Sequence, residues 1–207
     1  MSPTAREVNE IKKAPAVEGV LPIFHERWSP RFFADRQVTP DTLTKLFEAA
    51  RWAASSSNGQ PWRYIVGLHG SDTYKKIFES LVGFNQSWAG KAPVLIAGCA
   101  FTKFAHNGQP NGFALYDLGA ATSYLTLQAA ALGLVTHQMA GYDQAKLRAS
   151  LAIPEDYAMG SVVALGYQGD PVGSSEEELV KREVAPRDRN PLSNFVFSAW
   201  GEPARLG

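Results

Sequence analysis

Cysteine is nearly absent. Among 207 residues there is one, Cys99, so the chain cannot close a disulfide on itself. Cys99 lies in the apolar run Pro93 to Phe101 and is expected as a small core residue in a reducing compartment. No Cys/His spacing suits a zinc site. Net charge is also lacking: 20 basic and 20 acidic residues leave a formal balance of +0. That excludes the basic footprint of a nucleic-acid binder and a polybasic membrane patch. It also leaves association with a second copy unopposed by charge. Met1 to Ala16 is polar and charged, so no secretory signal is expected and the location reads as cytoplasmic. The sequon Asn85-Gln86-Ser87 is then a chance match. Leu118 to Gln138 carries no Asp, Glu, Lys or Arg over roughly the length of a membrane span. It does carry Thr122, Ser123, Thr126, Gln128, Thr136 and His137 among many Ala and Gly residues. The expectation is a helix buried between protein layers. There is no internal repeat and no low-complexity linker.

What is present suffices for one sizeable core, with 45% hydrophobic and 11% aromatic residues. Residues 1–22, with Pro3, Pro15 and Pro22, read as an arm or short helix outside the core. A single domain is expected over 23–207. Thr39-Pro40-Asp41 is a helix start, followed by Leu43, Leu46, Phe47, Ala50 and Ala54 at helical spacing. Trp62 to Leu68 reads as a strand, Ser71 to Leu81 as a helix, and Pro93 to Phe101 as a strand buried on both faces. Thr102 to Asn111 reads as a loop and Phe113 to Leu132 as a long helix with Gly133 at its C-cap. A short helix capped by Asp143, a strand over Tyr157 to Tyr167 and a charged, exposed helix from Ser174/Ser175 to Lys181 complete the list. Helices alternating with a few strands indicate an α+β or α/β fold.

Four constellations could carry chemistry. Arg27-Trp28-Ser29-Pro30-Arg31 offers two guanidiniums and a hydroxyl, which can bind a phosphate or simply be solvated. Arg187-Asp188-Arg189 is a second basic pair, able to complete a clamp on a doubly charged phosphate monoester. Ser55 to Gln60 closes a helix with three hydroxyls and two amides. It suits a ligand with a pyrimidine-like edge, or else caps the backbone. His137 to Gly141 is taken as a loop where glycine permits close approach, and His137 itself reads as a satisfied interior histidine. No paired catalytic carboxylates accompany these loops. The protein is therefore expected to hold a reactive cofactor.

These elements resemble the nitroreductase family of FMN-dependent oxidoreductases. The matching stretches are Arg27-Trp-Ser-Pro-Arg31-Phe-Phe, Ala50 to Trp62, Asn85-Gln-Ser-Trp88 before Ala92-Pro93, Gly119 to Leu134, Gln138-Met-Ala-Gly141 and Arg187-Asp-Arg189-Asn-Pro-Leu192. They follow the family's order. The resemblance implies an α+β sandwich, with a central, mainly antiparallel sheet flanked by helices, in an intertwined homodimer. Two FMN sites would lie at the subunit interface and a C-terminal tail would wrap the partner. It also implies roles. Arg27, Trp28, Ser29 and Arg31 would sit at the FMN phosphate and ribityl chain, with Arg187 and Arg189. Ser55, Ser56, Ser57, Asn58 and Gln60 would contact the flavin, partly from the other subunit. Asn85 would reach the ring edge or ribityl chain. Gln138, Met139, Ala140 and Gly141 would lie along the isoalloxazine. NADPH or NADH would donate hydride through flavin N5 to an electron-poor acceptor, a nitroaromatic or quinone, by ping-pong turnover. Two departures stand out: Ala54 replaces a proline common before the serine pair, and Ala140 stands where some members carry an acid.

Within the same fold the resemblance also allows a reductive dehalogenase or an ene reductase. The segment Thr102 to Asn111 is short for a dehalogenase lid. A serine hydrolase, with Ser55, Ser56 or Ser57 as nucleophile and His106 or His137 as base, lacks a glycine-flanked nucleophile elbow. A non-catalytic flavin-binding protein is the remaining alternative.

Overall fold

The computed structural model describes residues 3–172 and 174–206. A four-stranded sheet is built from β1 (Trp62–Leu68), β2 (Val94–Phe101), β3 (Val135–Met139) and β4 (Tyr157–Gly166), in the order β1-β2-β4-β3 with every pair antiparallel. Eight helices surround it among the described residues: α1 (Ala5–Lys12), α2 (Pro22–Glu26), α3 (Pro40–Arg51), α4 (Asp72–Ser80), α5 (Gly83–Ala89), α6 (Ala114–Ala131), α7 (Gln144–Leu151) and α8 (Glu177–Val184). The fold is α+β.

Both sheet faces are covered, which explains why β2 is apolar along its length rather than alternating. Val94 and Ile96 point to one side and meet Leu46 and Ala50 of α3 and Ala121, Leu125 and Ala129 of α6. Leu95, Ala97 and Cys99 point to the other and meet Ile77 of α4, Trp88 of α5 and Leu147 of α7. Cys99 is a free, buried core residue. The helices begin where capping side chains sit: Thr39 accepts from Thr42 N, Ser71 from Tyr74 N and Asp143 from Lys146 N. Thr102 to Asn111 has no helix or strand, and Gly133 takes the left-handed conformation that ends α6 (φ 74°).

Three expectations are corrected. The His137 to Gly141 segment is not simply a loop: residues 135–139 form edge strand β3, paired with β4 from Val135↔Gly166 to Met139↔Val162. Its mixture of Thr, His and Gln masks a strand with one face against the core. The charged helix near residue 180 spans Glu177–Val184 and is not exposed all round, since Leu179 and Glu183 are buried on one side. Finally, α6 is covered by this chain where it meets the sheet and α3, not all round. Leu115, Tyr116 and Tyr124 stand 49%, 77% and 46% exposed along the opposite side.

Within residues 1–22, α1 is held by a capping box between Thr4 and Glu7, and its Val8 and Lys12 are buried. The C-terminal segment ends in a small hairpin of β5 (Phe197–Ala199) and β6 (Glu202–Pro203). Trp200 at its tip is 96% exposed.

Candidate functional site

The two arginine pairs, 160 positions apart, meet. Arg187 follows α8 and sends Nη1 to the carbonyl of Arg27 at 2.6 Å and Nη2 to the carbonyl of His25. Arg27 in turn reaches Ser29 Oγ at 3.5 Å. Arg31 N donates to Glu183 Oε1 at 2.9 Å, while the charged groups of Arg31 and Glu183 lie 3.9 Å apart. Arg27, Arg187 and Arg189 act on one another, and Arg27 and Arg31 both act on His137, so the four arginines share a region that also holds the carboxylates of Glu183 and Asp188.

The electrostatics are those of an incomplete site. Burial lowers the proton affinity of Arg27, Arg31 and Arg187, and neighbouring arginines lower it further. Burial also pushes the Glu183 carboxyl up, and its bonds to Arg31 and Phe32 do not offset that. Nε of Arg31 and Nε of Arg187 are buried without a hydrogen-bond partner. Unpaired cationic donors with a charge surplus suit a dianion such as a phosphate monoester.

His137 joins this loop to the sheet. Its Nδ1 lies 3.1 Å from the Pro30 carbonyl and its ring packs on Trp88 at 4.5 Å. Burial, with Arg31 adding like charge, lowers its pKa to about 4, so the imidazole is neutral and Nδ1–H donates. The polar end of β3 continues from here. Gln138 Nε2 reaches Thr126 Oγ1 at 3.3 Å, and its Oε1 lies 3.4 Å from Ser161 Oγ. Met139 is buried and Ala140 exposed. Asn85, from α5, donates to the Gly141 carbonyl at 2.9 Å. A Cβ on residue 141 would stand 2.8 Å from Asn85 Nδ2 and 3.0 Å from Val82 Cγ2, so a larger residue there would displace the Asn85 amide.

Ser55 to Gln60 forms a tight polar turn between α3 and β1. Ser57, Asn58 and Gln60 all take positive φ, at 51°, 51° and 45°. Non-glycine residues held in this region store backbone strain, which gathers at functional sites. Local bonds maintain the shape. Ser55 Oγ accepts from Gln60 N, Ser56 N donates to Asp117 Oδ2 at 3.1 Å, and Gln60 Nε2 lies 3.2 Å from Asn58 Oδ1. This turn does not join the arginines. Asp117, which anchors it, and Thr126, which meets Gln138, are nine residues apart on α6, or about 14 Å at the helical rise.

Trp28 lies inside rather than beside the cluster: it is buried and its Nε1 donates to Asn9 at 2.8 Å. Lys12, Asp117 and Glu183 also shape the site. Their single-sequence signals were weak, because each looks like an ordinary member of a helix. A cleft of about 510 Å³ opens beside Arg27, between α1, α2 and the α6–β3 turn, and contains none of Ser55–Gln60, Asn85 or Gln138–Gly141. No three His, Cys, Asp or Glu side chains group as metal ligands among the described residues, and no described helix is long and apolar enough to cross a membrane. No hydrogen bond joins His106 or His137 to Ser55, Ser56 or Ser57 among the described residues.

A family model described as the nitroreductase family matches residues 25–85 and 68–167. An Archaeoglobus fulgidus protein, provisionally named an NADH dehydrogenase/NAD(P)H nitroreductase, is 32% identical over 158 residues, covering 74% of this chain and 88% of its own. A Mycolicibacterium smegmatis protein of uncharacterised role is 34% identical over 68% of this chain and 99% of its own. Among solved structures, one described as an oxidoreductase containing FMN superposes with a TM-score of 0.82 at 32% identity, covering 89% of this chain and 94% of that one. A nitroreductase family protein from Streptococcus pneumoniae shares the fold at a TM-score of 0.70 and 18% identity, covering 86% and 98%.

Proposed function

This chain belongs to the nitroreductase family, and on that footing we propose that it is an FMN-dependent oxidoreductase. It would take electrons from NADPH or NADH and pass them to an electron-poor acceptor such as a nitroaromatic or a quinone. The observation that carries this reading is the half-buried arginine cluster, with Nε of Arg31 and Nε of Arg187 unpartnered. A superposable, 32% identical protein contains FMN, whose phosphate has the charge the cluster lacks.

Arg27, Ser29, Arg31, Arg187 and Arg189 would hold the phosphate. Asn85 and the Gln138 to Gly141 edge would lie along the ring and ribityl chain. FMN, when bound, supplies hydride-accepting and hydride-donating chemistry at N5. The protein's part is to orient, to desolvate and to leave one ring face open, so that donor and acceptor use the same place in turn and kinetics are ping-pong. With Ala140 in place of an acid, no side-chain carboxylate at that position manages a proton.

A complete site calls for two copies. The strained turn Ser55 to Gln60 presents exposed amides away from the arginines of its own chain. The exposed side of α6 and the aromatic hairpin around Trp200 offer the apolar surface for a homodimer. In it, Ser55, Ser56, Ser57, Asn58 and Gln60 of one copy would reach the flavin held by the other. The test is spectroscopic. Purified protein, or apoprotein reconstituted with FMN, should show flavin absorbance that bleaches anaerobically with NADPH or NADH and returns with a quinone or nitroaromatic. A protein that takes up no FMN would remove this reading; one whose flavin never bleaches would be a binding protein only.

A further inference from the structure

Helix α1 lies ahead of the segment matched by the family model, yet it touches both halves of the arginine cluster. Lys12 is 7% exposed, and its Nζ donates to the carbonyls of Arg182 at 3.0 Å and Ala185 at 2.5 Å, at the end of α8 just before Arg187. The same Nζ lies 5.1 Å from the Trp28 ring, inside the Arg27–Arg31 loop. One helical turn earlier, Asn9 Oδ1 accepts from Trp28 Nε1 at 2.8 Å. Beyond the helix, Ala14 N donates to the His25 carbonyl, which also receives Arg187 Nη2. Val8 is fully buried and anchors the helix between these contacts.

Lysine is seldom buried unless it is paired. Here two backbone carbonyls at a helix C-terminus receive the charge, and the Glu183 carboxylate opposes the cost of burial, while Arg31 and Arg187 add like charge around it. The result is a single strut: α8 end, Lys12, Trp28, Asn9. Cutting it would leave every arginine present, with the Arg187 segment tied to Arg27 and Arg31 only through Arg187's own bonds to the Arg27 and His25 carbonyls and through Glu183, so its placement would loosen.

We propose that α1 is a positioning element for the anion clamp, with Lys12 as its central residue: it sets the spacing between the Arg27–Arg31 loop and Arg187, and so governs affinity for the ligand's phosphate. This rests on the reading of the cluster as the FMN phosphate site. The consequence is selective. Loss of the strut weakens the grip on a phosphorylated flavin and leaves contacts to the ring unaltered.

The experiment compares FMN with riboflavin, which lacks the phosphate, by fluorescence titration of the full-length apoprotein. The wild-type protein must bind FMN more tightly than riboflavin; equal affinity would sink the phosphate-site reading itself, separately from the strut. Given that preference, Lys12→Met should weaken FMN binding by about tenfold, the scale of a lost charged hydrogen bond, with riboflavin affinity unchanged. Lys12→Arg, which can still donate to the two carbonyls, should recover part of the loss. Asn9→Leu, on the exposed side of α1, gives an independent cut should Lys12→Met not fold, and should shift the FMN-to-riboflavin ratio in the same direction. An unchanged ratio in the folded variants, or an equal loss for both flavins, would overturn the proposal.

Discussion

Asn58 and Gln60 are held at positive φ in an exposed turn and touch mainly each other, so their amides serve the fold little. Asn58→Leu or Gln60→Leu should reduce flavin retention severalfold at a cost in stability of no more than about 2 kcal/mol, the scale of the strain a branched side chain meets at a left-handed φ. Dialysis followed by absorbance, beside a thermal melt, would check this; full FMN occupancy would count against the assignment. His137 makes a pH prediction. In the native protein it binds its proton near pH 4, against its ordinary value of 6.5. Between those values the unfolded chain is protonated and the native chain is not. Stability is therefore fully present above pH 6.5 and falls as the pH falls toward 4, by about 3 kcal/mol in total. Denaturant melts of the apoprotein across that range should show a shallower fall for His137→Asn, and parallel curves would refute it. The interior position of His137 was legible from its sequence context. Its bond to the Pro30 carbonyl was not, because 107 positions separate the partners.

Helix α4 lies so close to β1 that a Cβ on Gly67 would stand 2.5 Å from Tyr74 Cα and 2.6 Å from Tyr74 N. Backbone cannot give way as a side-chain tip can. Gly67→Ala should cost about 1–3 kcal/mol without directly touching the ligand site, and a chemical denaturation midpoint would measure it. Most elements here were readable because local rules dominate them: Thr39-Pro40-Asp41 starts α3, the apolar run 94–101 makes a central strand, and Gly133 closes α6. Two were misread where tertiary context overrides the local pattern. In β3, Thr136 and Met139 are buried while His137 and Gln138 face polar partners across the chain. In α8, Glu183 looks like one more surface charge until the Arg31 backbone arrives to meet it.

For the whole molecule the prediction concerns assembly. Tyr116 and Tyr124 present large apolar surface on the uncovered side of α6. If the proposed homodimer uses this face, the double change Tyr116→Glu with Tyr124→Glu should give a monomer by sedimentation where the unaltered protein gives a dimer. It should also release FMN, because Ser55 to Gln60 could no longer complete a second copy's site. A monomer that keeps its flavin fully would separate assembly from binding and remove the shared-site proposal.

The chain's own pattern determined a mixed helix-and-strand class, which the family resemblance narrowed to α+β, together with the longer helices, three strands of the sheet, the buried cysteine and the chemical character of the polar loops. These follow from periodicity, capping and composition, which act over a few neighbouring residues. Only the tertiary structure decided which loops belong together. Arg187 meets Arg27 across 160 positions, Lys12 meets the end of α8 across more than that, and Ser55 to Gln60 is kept apart from both. Long-range pairing is set by how the two faces of the sheet are covered, and no short stretch of sequence encodes that.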